Sequence, residues 1–149
     1  MASGLSPKLP LRRDNVDGLK LNKKVEQVAR QNMKMLLLTS PGERVGIPQY
    51  GVGLKRFLFE PLSSGVVNSI NNTIKNQMSK YLPAVRIDDI LFDSALNNPA
   101  LAQSNPHLLR ISINYTITPI NTRGSLTLDV TDTLITEAPS PNLLLNQGY

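Results

Sequence analysis

Two glutamates, Glu43 and Glu60, are the acidic residues best placed for acid–base chemistry, because both lie in the glycine-rich segment Leu37–Leu62. Hydrolysis of a glycosidic bond usually needs two carboxyl groups about 5 to 9.5 Å apart, one of them with a raised pKa. Each glutamate also has a simpler structural explanation, since Glu43 lies in a predicted turn beside Arg44 and Glu60 precedes Pro61. The chain has no tryptophan and 5% aromatic residues, so a sugar-binding surface is poorly supplied. We therefore predict no catalytic residue.

Phosphate binding is a second chemistry to consider for this segment, because Lys55 closely follows Gly51-Val52-Gly53. However, the segment has neither the G-x-G-x-x-G nor the G-K-[ST] pattern, and no buried parallel strand is predicted before it. The absence of cysteine and the single histidine, His107, exclude thiolate and multi-histidine metal sites. We therefore predict no cofactor-binding residue and no metal site, and we interpret His107 as an incidental residue at a strand start.

The composition is typical of one globular domain with a modest positive charge. The 149 residues carry 16 basic and 11 acidic side chains, a net charge of +5, and 40% of them are hydrophobic. Lys23, Arg30 and Lys34 share one side of a predicted helix, but no recognition motif accompanies them, so direct binding of nucleic acid is not expected. The longest apolar run, Met35–Leu38, is too short for a signal peptide or a membrane span. Together with the absence of cysteine, this predicts folding in a reducing cytosol.

Two segments show helical periodicity. The first runs from about Asn22, the expected N-cap, to Leu38, and Pro41-Gly42 ends it. The second runs from Ser64 to Tyr81; Ser63 or Ser64 caps it and Pro83 ends it. Their predicted core faces consist of Val25, Val28, Ala29, Met33 and Leu36 in the first helix and Val67, Ile70, Ile74, Met78 and Tyr81 in the second.

After the second helix, apolar and polar residues alternate as in strands with one buried face. We predict three such strands, Val85–Phe92, Leu109–Ile117 and Leu126–Ile135. A hairpin over Pro119–Ser125, with Gly124 free to take a positive φ, joins the last two strands. A short strand is also expected near Leu9–Arg12. The predicted fold class is α+β, a two-layer sandwich in which two main helices cover a small antiparallel sheet, with an extended N-terminal arm and a C-terminal tail.

The chain divides into an N-terminal arm (residues 1–18), a single α+β domain (19–136) and a C-terminal tail (137–149). The tail contains Leu143-Leu144-Leu145, three leucines that a solvated tail does not need. Two interpretations of the tail stay open, a docking strand for a partner and a short plug on its own domain.

The glycine-rich segment also resembles a known family signature. The run LLLTSPGERVGIPQYGVGLKRFLFEPL, Leu36–Leu62, is similar to that of the gene 25-like baseplate wedge family of contractile-tailed phages, which includes the corresponding baseplate subunit of type VI secretion. The similarity extends over roughly Leu19–Thr118, in which the order of elements also agrees. The matching positions in the signature are Leu37, Leu38, Thr39, Gly42, Glu43, Arg44, Pro48, Gly51, Gly53, Leu54, Leu58, Phe59 and Glu60.

One departure concerns a docking motif. The family commonly has Glu-Pro-Arg after the second helix, where it is implicated in docking to neighbouring wedge subunits. This chain keeps Pro83 but has Leu82 and Ala84 at the flanking positions, so that Arg86 is the nearest arginine after the motif. The resemblance therefore implies the fold and the assembly role more firmly than this one contact.

The resemblance implies a structural component of the baseplate wedge of a contractile tail, and not an enzyme. Such a protein docks to other wedge subunits near the tail tube or hub and offers a strand to the first ring of the tail sheath protein. It implies six copies per baseplate, no membrane, a location in the virion and assembly in the host cytoplasm. The alternative is a peptidoglycan-degrading, lysozyme-like enzyme, because the family has at times been described in that way.

Two sets of residues follow as candidates. The structural turn positions are Gly42, Pro48, Gly51 and Gly53, and the protein-interaction positions are Arg44, Pro83, Arg86, Leu126, Leu128 and Val130. The last three lie on a strand whose edge can accept another chain by strand addition. Two alternatives stay open: the protein's own tail covers this edge, and Arg44 forms an internal salt bridge with Glu43 or Glu60.

Overall fold

The computed structural model describes residues 4–60, 63–94, 108–130 and 135–137. Two helices, α1 (Val25–Leu38) and α2 (Ser64–Tyr81), are joined by the glycine-rich segment, which includes a 3₁₀ helix at Leu54–Phe59. They pack on a four-stranded sheet, so the predicted α+β class is confirmed. The predicted arrangements at His107, at Leu134, in most of the loop Asp93–Pro106 and in residues 138–149 lie outside the described residues. The boundaries at residues 18 and 136 stay predictions.

The main sheet is antiparallel throughout the described residues, and each of its four strands pairs with the next one along the chain. Its strands are β5 (Val85–Ser94), β6 (Leu109–Ile117), β7 (Thr122–Val130) and β8 (Ile135–Glu137). The pairing of β6 with β7 runs without a shift from Leu109 opposite Val130 to Ile117 opposite Thr122. The alternation of side chains along β6 and β7 therefore points one apolar row of each strand at the helices, as the sequence predicts.

The turn between β6 and β7 is shorter than predicted. A 3₁₀ turn, Thr118–Ile120, leads into Asn121, which has the positive φ of 47°. Asparagine tolerates this left-handed conformation better than most residues. The prediction for Gly124 is wrong, because Gly124 lies inside β7 opposite Tyr115. Gly124 instead leaves room for the Tyr115 ring, because a Cβ atom at this position would lie 2.7 Å from that ring.

The last predicted strand is divided in two. Strand β7 already begins at Thr122 and ends at Val130, and the chain then returns as β8, which pairs antiparallel with Leu128–Val130. A continuous strand over Leu126–Ile135 is therefore wrong, because periodicity shows which residues alternate but not where the chain reverses.

Helix α2 has the predicted bounds, and Ser63 caps it by accepting a hydrogen bond from the Val66 N–H at 3.4 Å. Helix α1 begins three residues later than predicted, at Val25. The prediction of Asn22 as N-cap is wrong, because its side-chain amide donates to Ser6 Oγ and Gln31 Oε1. The Asn22 side chain, which the local pattern assigns to the helix end, therefore makes a tertiary contact with the arm instead.

The N-terminal arm folds back along the start of α1. Strand β1 (Ser6–Pro7) pairs with β4 (Leu21–Asn22), and β2 (Arg13–Asp14) pairs with β3 (Gly18–Leu19). The strand expected near Leu9–Arg12 is wrong, since these residues connect β1 to β2. Two short ladders therefore hold the arm beside the domain.

One hydrophobic core joins the helices to the inner face of the sheet. Its fully enclosed side chains come from both helices, from the glycine-rich segment and from β6 and β7. The largest of them are Met33, Leu36, Leu37, Leu54, Ile70, Ile74, Met78, Leu109, Ile111, Ile113, Ile117 and Leu126. Val25, predicted on the core face of α1, is 45% exposed, because that end of the helix lies beyond the core.

The opposite face of the sheet carries polar pairs across β6 and β7. Arg110 binds Asp129 through two hydrogen bonds of 2.7 and 2.8 Å, and the Ser112 and Thr127 hydroxyls lie 3.3 Å apart. The hydrogen bonding to Asp129, reinforced by the charge of its carboxylate, raises the pKa of Arg110. These pairs reinforce the strand register from the side that does not contact the helices.

Candidate functional site: the glycine-rich turns and the sheet edge

The glycine-rich segment returns onto the end of helix α1 through its backbone. The Val52 N–H donates to the Leu36 carbonyl at 3.0 Å, and the Gly53 N–H donates to the Thr39 carbonyl at 2.9 Å. Gly51, between these contacts and Pro48, has a φ of 109°, and a Cβ atom on it would lie 2.1 Å from the Thr39 carbonyl oxygen. Only glycine permits both the conformation and the approach.

A glutamine of helix α2 holds the same segment from the other side. The Gly51 N–H donates to Gln77 Oε1 at 3.1 Å, and Gln77 Nε2 donates to the Gln49 carbonyl at 3.0 Å. The sequence analysis missed Gln77. Its only signal was its spacing, seven residues after Ile70 and four before Tyr81, which puts an amide on the core-facing side of the helix. Gln77 thus links the segment to α2.

Arg44 lies against an aromatic pair. Its guanidinium carbon is 4.3 Å from the centre of the Tyr50 ring, and Tyr50 meets Tyr81 of α2 edge to face at 5.0 Å. Burial raises the pKa of Tyr50, and the charge of Arg44 partly offsets this. Arg44 therefore has an internal partner of a kind that the sequence analysis did not consider, an aromatic face in place of a carboxylate.

The two glutamates are explained by their local structure. The Glu43 carboxylate accepts a hydrogen bond from the Ser40 N–H at 3.0 Å, which closes a turn. Glu60 is exposed at the end of the 3₁₀ helix, where its N–H donates to the Phe57 carbonyl at 3.3 Å. Between them, Val45 is 96% exposed at the tip of the loop. The loop therefore offers contact surface at its tip, while Glu43 is used as a turn acceptor.

Pro83 and Arg86 border a shallow groove of about 440 Å³ where α2 ends and β5 begins. Lys75 and Arg86 put two positive charges on its rim. The Arg86 side chain is 71% exposed, and its Nε lies 3.3 Å from Asp88 Oδ1. The structure thus brings Pro83 and Arg86 together at one site, with cations facing solvent.

Asp88 orients this arginine and was missed by the sequence analysis. It lies at an irregularity of β5 between Ile87 and Asp89, where the pairing with β6 shifts. Its Oδ2 accepts a hydrogen bond from Thr116 Oγ1 at 2.5 Å, while Oδ1 accepts from Arg86. The Thr116 hydrogen bond, helped by Arg86, lowers the pKa of Asp88 below its ordinary value of 3.8. A bulge cannot be read from residue types alone, so the sequence contained no signal for this cluster.

Leu126, Leu128 and Val130 are core residues, with exposures of 0, 2 and 0%. Their side chains face the helices, so a partner at this strand would contact its backbone edge. Strand β8 pairs only with Leu128–Val130, and residues 122–127 of β7 have no second strand partner in the described part of the chain. The interaction role predicted for these three residues stays a prediction.

Neither a metal site nor a membrane helix is found in the part of the chain that the structure describes. No three histidine, cysteine, aspartate or glutamate side chains there are grouped so that they could hold a metal ion. Neither of its two long helices combines the length and apolar character needed to cross a membrane.

Comparison with known proteins adds a family and a fold. The sequence model of a family described as baseplate wedge protein gp25 matches residues 23–122. A crystal structure of a candidate tail lysozyme from Geobacter sulfurreducens is similar with a TM-score of 0.61 and 22% identity, over 75% of this chain and 95% of that one. The baseplate of the anti-feeding prophage, a cryo-EM structure with six-fold symmetry, contains a chain with a TM-score of 0.64 and 23% identity, over 75% and 83% of the two chains. No curated protein sequence matches. At these identities the two structures show likeness of fold alone.

Gly51→Ala tests the close approach of the segment to α1. We expect it to lower the free energy of unfolding by about 3 kcal/mol or more, because the new Cβ would overlap the Thr39 carbonyl oxygen. Gly46→Ala is the control, since a Cβ there meets nothing within 4 Å, and it should change stability by less than about 0.5 kcal/mol. Urea unfolding followed by circular dichroism measures both. Equal effects of the two substitutions would contradict the packing argument.

Asp88 predicts a pH dependence of stability. Because the pKa of Asp88 is lowered in the folded chain, its ionised form stabilises the fold above its unfolded pKa, and this contribution is lost as the pH falls through its folded pKa. The free energy of unfolding should therefore fall more steeply for the wild type than for Asp88→Asn between about pH 5 and pH 2. Thr116→Val, which removes the main hydrogen bond, should also flatten the profile. Parallel profiles for all three proteins would show that the contact contributes nothing.

Proposed function

The chain belongs to the baseplate wedge protein gp25 family and is a structural baseplate protein, and we propose that it docks to other wedge subunits near the tail tube and templates the first ring of sheath. The observation that carries this proposal is the edge of β7 over residues 122–127, which has no second strand partner in the described part of this chain. Six copies per baseplate, contact with the tube or hub, a place in the virion and assembly in the host cytoplasm are further parts of the proposal, taken from the family resemblance.

Strand addition at β7 is supported by how little of that strand β8 covers. Over residues 122–127 the outward N–H and C=O groups lack a strand partner in the described residues, while β6 holds the inner edge in register. At about 3.4 Å per residue this edge is roughly 20 Å long, enough to pair with a strand of ordinary length. Gly124 and Ser125 add little bulk there. Backbone hydrogen bonds would then give affinity.

Docking to a wedge neighbour is supported by the groove at Pro83 and Arg86. Its two rim cations, Lys75 and Arg86, favour an acidic group on the partner. Arg86 donates one hydrogen bond to Asp88, which leaves most of the arginine side chain exposed to a partner. In this proposal Arg86 takes the place of the arginine of the family's Glu-Pro-Arg motif.

The lysozyme-like alternative is supported by the name of one structural neighbour, and that likeness is one of fold alone. The hydrogen bond that Glu43 accepts from Ser40 accounts for this glutamate without catalysis. We propose that the protein is not an enzyme. Replacing Glu43 and Glu60 with glutamine and assaying lysis of cell walls separates the two functions, because an enzyme of this type would lose its activity.

Negative-stain microscopy of tails from a phage and host that lack this protein tests the assembly role. Tubes that grow without sheath, or baseplates that fail to form, are the expected result. Normal sheathed tails with a defect only in penetration of the host wall would overturn the proposal.

Chemical footprinting of Ser125→Cys tests the strand edge. The chain has no cysteine, so this thiol would be the only one in the protein. We expect it to react with a maleimide in the free protein, to be protected in sheathed tails and to react again in baseplates with tubes but no sheath. The sheathless particles are the control for burial by other subunits. Equal labelling with and without sheath would exclude sheath pairing at this edge.

Arg86→Glu tests the docking groove. Reversing the charge should reduce the number of complete baseplates at least about fivefold, because an acidic partner group would be repelled. The matched control is Lys20→Glu, an exposed cation between β3 and β4 that should leave assembly unchanged. Thermal unfolding of both variants checks that each is folded. Normal assembly with a folded Arg86→Glu protein would rule out this residue as a docking contact.

A further inference from the structure

The register of β8 on β7 indicates where the chain goes after β8. Strand β8 runs antiparallel to β7 and pairs Glu137 with Leu128. We propose that the tail segment, residues 138–143, continues this register along residues 122–127 of β7 and covers that edge until a sheath strand replaces it. The pairing in the free protein stands by itself, whereas the replacement rests on the proposed function above.

The backbone of β7 presents alternate residues to this edge. The Thr118 N–H donates to the Ala84 carbonyl at 2.9 Å, so the even-numbered residues of β6 direct their backbone groups at β5 and the odd-numbered ones at β7. Because β6 and β7 pair without a shift, the even-numbered residues of β7 direct their N–H and C=O groups at β6. The N–H and C=O groups of Arg123, Ser125 and Thr127 therefore point outward.

The tail segment has a hydrogen-bond donor at each position where the edge of β7 needs one. In the continued register Ala138, Ser140 and Asn142 lie opposite the three outward-pointing residues of β7. Pro139 and Pro141 alternate with them, at positions whose nitrogen points away from β7. Proline has no N–H, so only these outward positions accept it in a paired strand. A register shifted by one residue would place both prolines against the acceptors of β7.

The side chains of the tail segment also match the two faces of the sheet. In this register the apolar residues Pro139, Pro141 and Leu143 lie on the side that faces the helices. The opposite face, which is polar across β6 and β7, receives Ser140 and Asn142. Hydrogen bonding and polarity therefore favour the same register, although each depends on a different property of the residues.

Two physical arguments favour the tail segment over another occupant of the free protein. It follows β8 directly, so it competes at a high effective concentration with a second copy of the chain or with a separate peptide. Its two prolines also leave its outward side without two donors, and a further strand would pair poorly there. A sheath strand would therefore have to pair with β7 itself, which requires the tail segment to leave.

Amide hydrogen exchange of the full-length protein, followed by NMR, tests the pairing. The N–H groups of Arg123 and Ser125 should be protected, and Ser140→Pro should speed their exchange at least about tenfold, because it places a proline against β7. Pro141→Ala is the matched control; its nitrogen points outward, so both rates should stay within about twofold of wild type. The Gly124 N–H, which points at β6, should stay protected in all three proteins and reports that each is folded.

A disulfide between the tail segment and β7 tests the replacement. Thr122 and Leu143 would form a pair without mutual hydrogen bonds, with Cα atoms about 4.5 Å apart, a distance that a disulfide spans. The wild type has no cysteine, so Thr122→Cys/Leu143→Cys can form only this disulfide within the chain. Oxidised baseplates with this variant should carry at least about fivefold fewer sheaths than the same baseplates after reduction. Arg123→Cys/Leu143→Cys is the control and should not cross-link, because its thiols face opposite sides of the sheet.

The contrary results are distinct for the two steps. Rapid exchange of the Arg123 and Ser125 N–H groups in the wild type, or equal exchange in Ser140→Pro, would overturn the pairing, and this experiment involves no sheath. Normal sheaths on cross-linked baseplates, with Ser125→Cys still protected by sheath, would overturn the replacement and leave strand addition in place. Equal labelling of Ser125→Cys with and without sheath would instead overturn the proposed function and, with it, the replacement.

Discussion

The close contact between Gly51 and the end of helix α1 is the constraint on which the rest of the structure depends. The backbone at Gly51 comes so near the Thr39 carbonyl that no side chain fits between them. This contact reverses the chain after α1 and presents the Gly51 N–H and the Gln49 carbonyl to Gln77 of α2. The segment therefore links the two helices, through backbone hydrogen bonds to the end of α1 and through the Gln77 side chain to α2. Because the sheet packs on both helices, its position also depends on this junction.

The residues that stabilise the core of β6 and β7 differ from those that a partner could contact. The apolar rows of β6 and β7 are used up in the core, so Leu126, Leu128 and Val130 are unavailable as side-chain contacts. Among the described residues, the backbone edge of β7 over residues 122–127 and the cations at the end of α2 lie outside the core. An edge that binds through backbone groups tolerates changes in side chains, whereas the oriented Arg86 depends on the Asp88 and Thr116 contacts. The two kinds of contact are complementary in an assembly protein, because strand pairing at an edge gives affinity and a charge contact fixes the register of the partner.

Asn22, beside the arm, is a polar side chain that is suited to two competing contacts and makes only one of them. Asparagine is a favourable N-cap, and the pattern around Asn22 fits that role. In the folded chain its amide is buried between Ser6 and Gln31 and donates a hydrogen bond to each of their side chains. The helix then begins at Val25, and its N-cap residue Lys24 makes no side-chain cap.

The sequence by itself determined the elements whose pattern is local: α2 with its serine cap, the alternating rows of β6 and the stop at Pro83. The run Leu36–Leu62 also resembles the family signature, and the family match over residues 23–122 agrees with that resemblance. Only the tertiary structure decided the start of α1, the reversal after Val130, the bulge at Asp88 and the partners of Arg44 and Gln77. Each of these features depends on contacts between residues that are far apart in the sequence, and the periodicity of the sequence does not show such contacts. Local backbone preferences depend on neighbouring residues and can be predicted from them, whereas hydrogen bonds between elements form only when the elements pack together in the core.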